Sequence, residues 1–120
     1  VVYLLDEPDV VARKIARAVT DSDTGPDAVR RDPAKPGVSN LLEIVAACTG
    51  EPVGDVTTYG RLKKLATEAV LSVLDPIRKR YAELSADPVE VQRVYAEGAA
   101  TCREQTAPVL AAARAAMGVD

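Results

Sequence analysis

Apolar residues recur three and four positions apart along most of this chain, the period of an amphipathic helix rather than of a strand. Val11, Ile15, Ala18 and Val19 define a first helix reaching about Val19, with Asp6 as its cap and Pro8 in its first turn. Thr20, Asp21 and Ser22 follow with no glycine or proline among them. Their side chains hydrogen-bond nearby backbone and are expected to end the helix there. Val38, Leu41, Leu42, Val45 and Cys48 mark a second helix, closed by Gly50. The cleanest stripe is Leu62, Leu65, Ala66, Ala69, Val70, Val73, Leu74, Ile77, Tyr81 and Leu84, a third helix over about 60–84 that is expected to bend near Pro76. Asp87 and Pro88 restart the chain as cap and first helical residue. Val91, Val94, Tyr95, Cys102, Val109, Leu110 and Met117 then run to a Gly118 stop, with Pro108 expected to kink or divide the helix. The pattern predicts an all-α fold, a bundle of about four to five helices.

Three stretches depart from that period. Residues 1–5, VVYLL, form an apolar run that reads as a strand without a partner. Residues 21–37 are polar and rich in Pro, Gly and Asp, a long loop for which an ordered functional role and disorder are equally compatible with the composition. Residues 51–58 read as a turn or a short helical piece.

Composition narrows the chemistry. There is no histidine, which excludes Ser-His-Asp and Cys-His nucleophile activation and any imidazole metal site. Cys48 and Cys102 share no Cys-x-x-Cys spacing and both fall on helical apolar positions, so two reduced core thiols in a reducing cytosol are expected. No metal site is expected. No apolar run reaches the length of a membrane helix and no leader is present, so a cytoplasmic protein without membrane contact is expected. The first residue is Val rather than Met, as in a piece of a longer protein. The net charge is −3, spread unevenly: −4 over residues 1–60 and +1 over residues 61–120. Bulk charge therefore does not argue for nucleic acid. Taken alone, Asp21 and Asp23 read as turn residues, and Arg61, Lys63 and Lys64 as a solvated helix face. Aromatic content is 3%, and the four tyrosines lie near apolar stripes, where core packing is the simpler role.

Six motifs in order change that weighting. Lys14-Ile15-Ala16-Arg17-Ala18-Val19-Thr20-Asp21-Ser22 and Asp32-Pro33-Ala34-Lys35-Pro36-Gly37-Val38-Ser39-Asn40-Leu41-Leu42 come first. Tyr59-Gly60-Arg61-Leu62-Lys63, Pro76-Ile77-Arg78-Lys79-Arg80-Tyr81, Glu97-Gly98-Ala99 and Met117-Gly118-Val119 follow. Together they resemble the C-terminal helical domain of bacterial tryptophanyl-tRNA synthetases, over essentially the whole chain. Leu62 stands where this family often carries phenylalanine, a difference expected to alter packing only.

The resemblance implies a class I aminoacyl-tRNA synthetase that activates tryptophan with ATP and magnesium and charges tRNA(Trp). It also implies a Rossmann catalytic domain, with its His-Ile-Gly-His and Lys-Met-Ser-Lys-Ser signatures, upstream of this stretch. Residues 1–5 would be its last scrap and residues 6–120 the anticodon-binding domain, which moves against the catalytic domain during the reaction. This stretch alone would bind no cofactor and be inactive. Family members pair through the catalytic domain, which implies a homodimeric whole protein and a monomer for this stretch alone. By the same resemblance Thr20, Asp21, Ser22 and Asp23, with Arg61 and Lys63 at the start of the long helix, face the anticodon. Asp accepts from exocyclic amines, hydroxyls donate or accept, and Lys or Arg contacts phosphate or a base acceptor. The competing expectation is a helical protein-interaction module with no nucleic-acid role, which fits the negative charge directly.

Overall fold

The computed structural model describes residues 1–119, and four helices make up the fold among them: α1 (Pro8–Ala16), α2 (Pro36–Thr49), α3 (Tyr59–Ala86) and α4 (Pro88–Met117). No strand occurs among the described residues. The chain divides into two compact units, Val1–Arg80 and the residues from Tyr81 on.

The first unit holds the core. Val11 and Ile15 of α1, Val38, Leu41 and Val45 of α2, and Leu62, Ala66, Ala69 and Leu74 of α3 are buried together. These are the three- and four-residue spacings that place side chains on one helix face. Leu62, Val11 and Val38 are fully enclosed. Residues 1–5 make no strand. The Asp6 amide donates to the Tyr3 carbonyl at 3.1 Å and the Tyr3 amide to Asp6 Oδ2 at 2.9 Å, which closes a turn, and Val2 packs on the core. Asp6 is thereby not the cap of α1; that position is Glu7, whose side chain makes no capping bond. The Asp6 carboxylate instead accepts from Lys14 Nζ at 2.6 Å, and that hydrogen bond, with the one from Tyr3, holds its pKa below the ordinary value.

The third-helix stripe is only partly core. Leu74 is buried, whereas Val73 and Ile77 are each 40% exposed and Tyr81 is 55% exposed. The apolar stripe is wider than the face that α1 and α2 cover, so its flank stays in solvent. Both long helices run unbroken through their prolines, Pro76 in α3 and Pro108 in α4, so Pro108 does not divide the last helix. Each proline removes the hydrogen bond to the carbonyl four residues back. Pro76 and Ser72 are exposed, as are Pro108 and Glu104, so those carbonyls lie on parts of the helices open to solvent and their loss of a partner does not break the helix.

The second unit has a different character. Asp87 caps α4, its Oδ1 accepting from the Glu90 amide at 3.1 Å, and Gly118 ends it at φ 70°. No residue of α4 is buried. Val94, Tyr95, Val109, Leu110 and Met117 all lie more than half exposed, and Cys102, expected in the core, is exposed. Cys48 is half-buried against the first unit's core, and both thiols are free. No helix is long and apolar enough to cross a membrane among the described residues.

Two substitutions separate the real core from the sequence stripe. Leu62→Ala is expected to lower stability by about 3 kcal/mol, lost burial plus an unfilled cavity. Val73→Asp is expected to cost about 1 kcal/mol or less, because the site is open to water. Urea melts of both variants check the contrast.

Candidate functional site

The polar exit of α1 is not what ends the helix. α1 stops at Ala16, with Arg17 as its C-terminal cap, so Val19 stands outside it at 85% exposure. Two contacts explain the early stop. Lys63 Nζ of α3 donates to the Ala16 carbonyl at 3.1 Å, placing a cation on the negative end of α1. Beyond it the backbone crosses the first turn of α2. A Cβ on Gly37 would lie 2.0 Å from the Val19 carbonyl oxygen, so only glycine admits the crossing. Thr20, Asp21 and Ser22 are the far side of that crossing.

From there the chain folds around one lysine. Lys35, at the N-terminal cap position of α2, is only 7% exposed. Its Nζ donates to Asp23 Oδ2 at 2.8 Å, Tyr59 Oη at 3.0 Å, and Asp21 Oδ2 and Oδ1 at 3.1 and 3.2 Å. The Tyr59 hydroxyl donates in turn to Asp21 and lies 3.2 Å from the Ala28 carbonyl. Each carboxylate also accepts a local amide, Asp21 from Asp23 N and Asp23 from Gly25 N, both at 2.9 Å. A second knot fixes the approach to α2. Asp32 accepts the Ala34 amide and Arg30 Nε, and its own amide donates to Ser39 Oγ at 3.1 Å. Residues 21–35 are thus an ordered loop, built from turns that Asp side chains close on their own backbone.

The electrostatics follow from this packing. The Tyr59 hydroxyl, the Asp23 amide and Lys35 hold the Asp21 carboxyl down at about 2. Lys35 and the Gly25 amide lower that of Asp23. Burial alone would push Lys35 down, but its hydrogen bonds to Asp23, Tyr59 and Asp21 outweigh burial and raise it. Burial and the adjacent Asp21 carboxylate raise Tyr59. The Lys35 ammonium occupies the space between the two carboxylates, and no group of His, Cys, Asp or Glu among the described residues is arranged to hold a metal.

Of the six residues singled out from sequence, Asp21 and Asp23 converge on Lys35. Lys63 is tied to the end of α1, as described. Thr20 is half-buried and Ser22 exposed, and neither hydroxyl has a hydrogen-bond partner among the described residues. Arg61 is exposed beside Gly60 and Lys64 on the first turns of α3, lining an open cleft with Val56, Leu65 and Glu68. Sequence reasoning gave no role to Lys35 and treated Tyr59 as core packing. The ring does pack on the core, and only the hydroxyl reaches the carboxylates. The available signal was a single lysine closing a segment with four aspartates, Asp21, Asp23, Asp27 and Asp32.

Several tryptophan–tRNA ligases are similar to this chain. It is 50% identical over 99% of its length to tryptophan–tRNA ligase 1 of Streptomyces coelicolor. It is 45% identical to tryptophan–tRNA ligase of Leifsonia xyli and 40% identical to that of Caldanaerobacter subterraneus, each over 98% of the chain. The chain belongs to the tryptophan–tRNA ligase family. It spans only 36 to 37% of the length of these relatives. No family model matches the chain.

Two measurements probe this part of the chain. Gly37→Ala, a change that ordinarily stabilises a helix, is expected to destabilise by about 1–3 kcal/mol because the methyl meets backbone. Gly60→Ala has open space around it and is expected to be neutral or stabilising, so thermal melts of the pair should move in opposite directions or leave Gly60→Ala unchanged. The second concerns pH. Asp21 has a depressed folded pKa, so its contribution is present above the ordinary 3.8 and is lost as pH falls toward about 2. Lys35 is raised, so its contribution persists below 10.5 and is lost only as pH rises above that value. Asp21→Asn should therefore be less stable than the parent at pH 6, and the gap should close between pH 4 and 2 in melts recorded across that range.

Proposed function

We propose that this chain is the helical, tRNA-recognising part of a tryptophan–tRNA ligase, lying C-terminal to a Rossmann catalytic domain and facing the anticodon of tRNA(Trp). In the whole enzyme that catalytic domain activates tryptophan with ATP and magnesium, and this part moves against it during charging. The observation carrying the reading is the convergence of the end of α1, the 20–23 crossing and the first turns of α3. There the hydroxyls of Thr20 and Ser22 follow the α1 end that Lys63 holds, and Tyr59, two residues before Arg61, is tied to Asp21 between them. The relatedness over nearly the whole chain supports it. Unpaired anticodon bases display edges that hydroxyls can read, and cations hold the adjacent phosphates.

A second reading, a protein-docking module, is favoured by one feature: α4 buries nothing and leaves Val94, Tyr95, Val109, Leu110 and Met117 in solvent. Footprinting separates the two. The chain is expected to protect the anticodon loop of a tRNA bearing CCA, and absence of protection at a concentration that saturates binding would favour the docking module.

Lys63→Ala tests the cationic contact. It is expected to weaken tRNA binding severalfold and to reduce the slope of log affinity against log salt by about one. In the whole enzyme it should lower aminoacylation and leave tryptophan activation nearly unchanged, as read by pyrophosphate exchange. Equal loss in both reactions would place the residue's effect on the catalytic site instead.

A further inference from the structure

Resting on that reading, we propose that Lys35 and Tyr59 are positioning residues for tRNA recognition, forming with Asp21 and Asp23 a clamp that holds Thr20 and Ser22 where they meet unpaired bases. The carboxylates themselves are occupied. Asp21 Oδ1 accepts from Asp23 N, Lys35 and Tyr59, and its Oδ2 accepts from Lys35. Asp23 Oδ1 accepts from Gly25 N, and its Oδ2 accepts from Lys35, with Arg30 at 3.5 Å. Two acids so engaged make poor base readers, since each new acceptor bond would compete with an existing donor. The hydroxyls that alternate with them, those of Thr20 and Ser22 and then Thr24, have no partner among the described residues.

The clamp is also what fixes the segment. Between Val19 and Lys35 only Ala28 is buried among the apolar residues, so packing alone holds the loop weakly. Val29 packs on the core at its edge, and the other long-range ties of residues 21–28 are polar: Lys35 reaches back 14 and 12 residues to Asp21 and Asp23, and Tyr59 spans 38 residues to Asp21 and 31 to the Ala28 carbonyl. The same tyrosine opens α3, two residues before Arg61 and four before Lys63. One hydroxyl thus sets the hydroxyl-bearing loop against the cation-bearing helix. A buried lysine with charged partners is an expensive way to gain stability but an effective way to select one geometry.

Tyr59→Phe removes the hydroxyl and keeps the ring in the core, so it is the variant to measure. Two transcripts are compared on the intact chain: tRNA(Trp) with its CCA anticodon, and the same tRNA with all three anticodon bases replaced by adenine. The preference for CCA is expected to fall about tenfold, the loss of one well-made base contact, while affinity for the replaced transcript and the salt slope stay at wild-type values. Amide exchange at Asp23, Gly25 and Ala28 should accelerate, with Leu41 and Val45 of α2 unchanged. Lys35→Met should give the same pattern more strongly.

Tyr59→Phe with the wild-type preference, or with equal loss on both transcripts, overturns the positioning role. A wild-type chain that binds both transcripts alike overturns the anticodon reading itself, a result distinguishable because it needs no variant.

Discussion

A lysine ammonium held out of water must be fully hydrogen-bonded, and Lys35 meets that requirement only by gathering distant pieces of chain. Its partners come from the crossing after α1, from the loop beyond it and from the first residue of α3. Because Lys35 also sits at the start of α2, one charged atom links the three helices of the first unit at the end where the candidate recognition face lies. The apolar core brings α1, α2 and α3 together, but a core of Val, Leu and Ala tolerates small slides. Three donors meeting two carboxylates and a phenol do not.

Gly37 sets the steric half of the same constraint. The chain reaches Asp21 only by passing within contact of the first turn of α2, and a methyl there would collide with the Val19 carbonyl. Lys63 sets the third condition, capping α1 at Ala16 so that the chain is released early enough to make the crossing. A cation, a missing side chain and a helix end therefore act together on a stretch of about five residues. The polar residues after α1 follow from this. Asp21 is there to meet Lys35 fourteen positions later, and the termination of α1 is the work of α3.

How much of this could be read in the sequence depended on the range of the cause. Helix existence was legible because i, i+3, i+4 spacing is local, and Asp87, Gly50 and Gly118 act within their own turns. Helix ends governed from elsewhere were not: Asp6 resembles a cap but is taken by Lys14, and Val19 fits the stripe of α1 but lies beyond it. The stripe of α3 showed correctly which residues are apolar and not which are covered. Leu74 is buried and Val73, its neighbour, is open, because adjacent residues point to different faces and the apolar stripe is wider than the face that is covered. α4 carries this furthest, with a regular apolar pattern and no residue buried. In the candidate site, Asp21 and Asp23 were visible as polar turn residues, while Lys35 and Tyr59, which give them their geometry, were hidden by distances of 12 to 38 residues.

Net charge misleads for a related reason. By bulk charge alone a chain at −3 is a poor partner for a polyanion, yet most acids of its first half are paired within the fold. Asp21 and Asp23 face Lys35, Asp6 faces Lys14, Asp32 faces Arg30, Asp9 faces Arg13 and Glu7 faces Arg78. Paired charges a few ångströms apart produce little field at a distance, and salt removes most of what remains. The cations at the start of α3 are differently placed. Lys63 meets a backbone carbonyl and no carboxylate, and Lys64 meets Glu68 only at 4.0 Å across open solvent. The field met by an approaching ligand is that of the residual, unneutralised charges, to which the first turns of α3 contribute Arg61, Lys63 and Lys64.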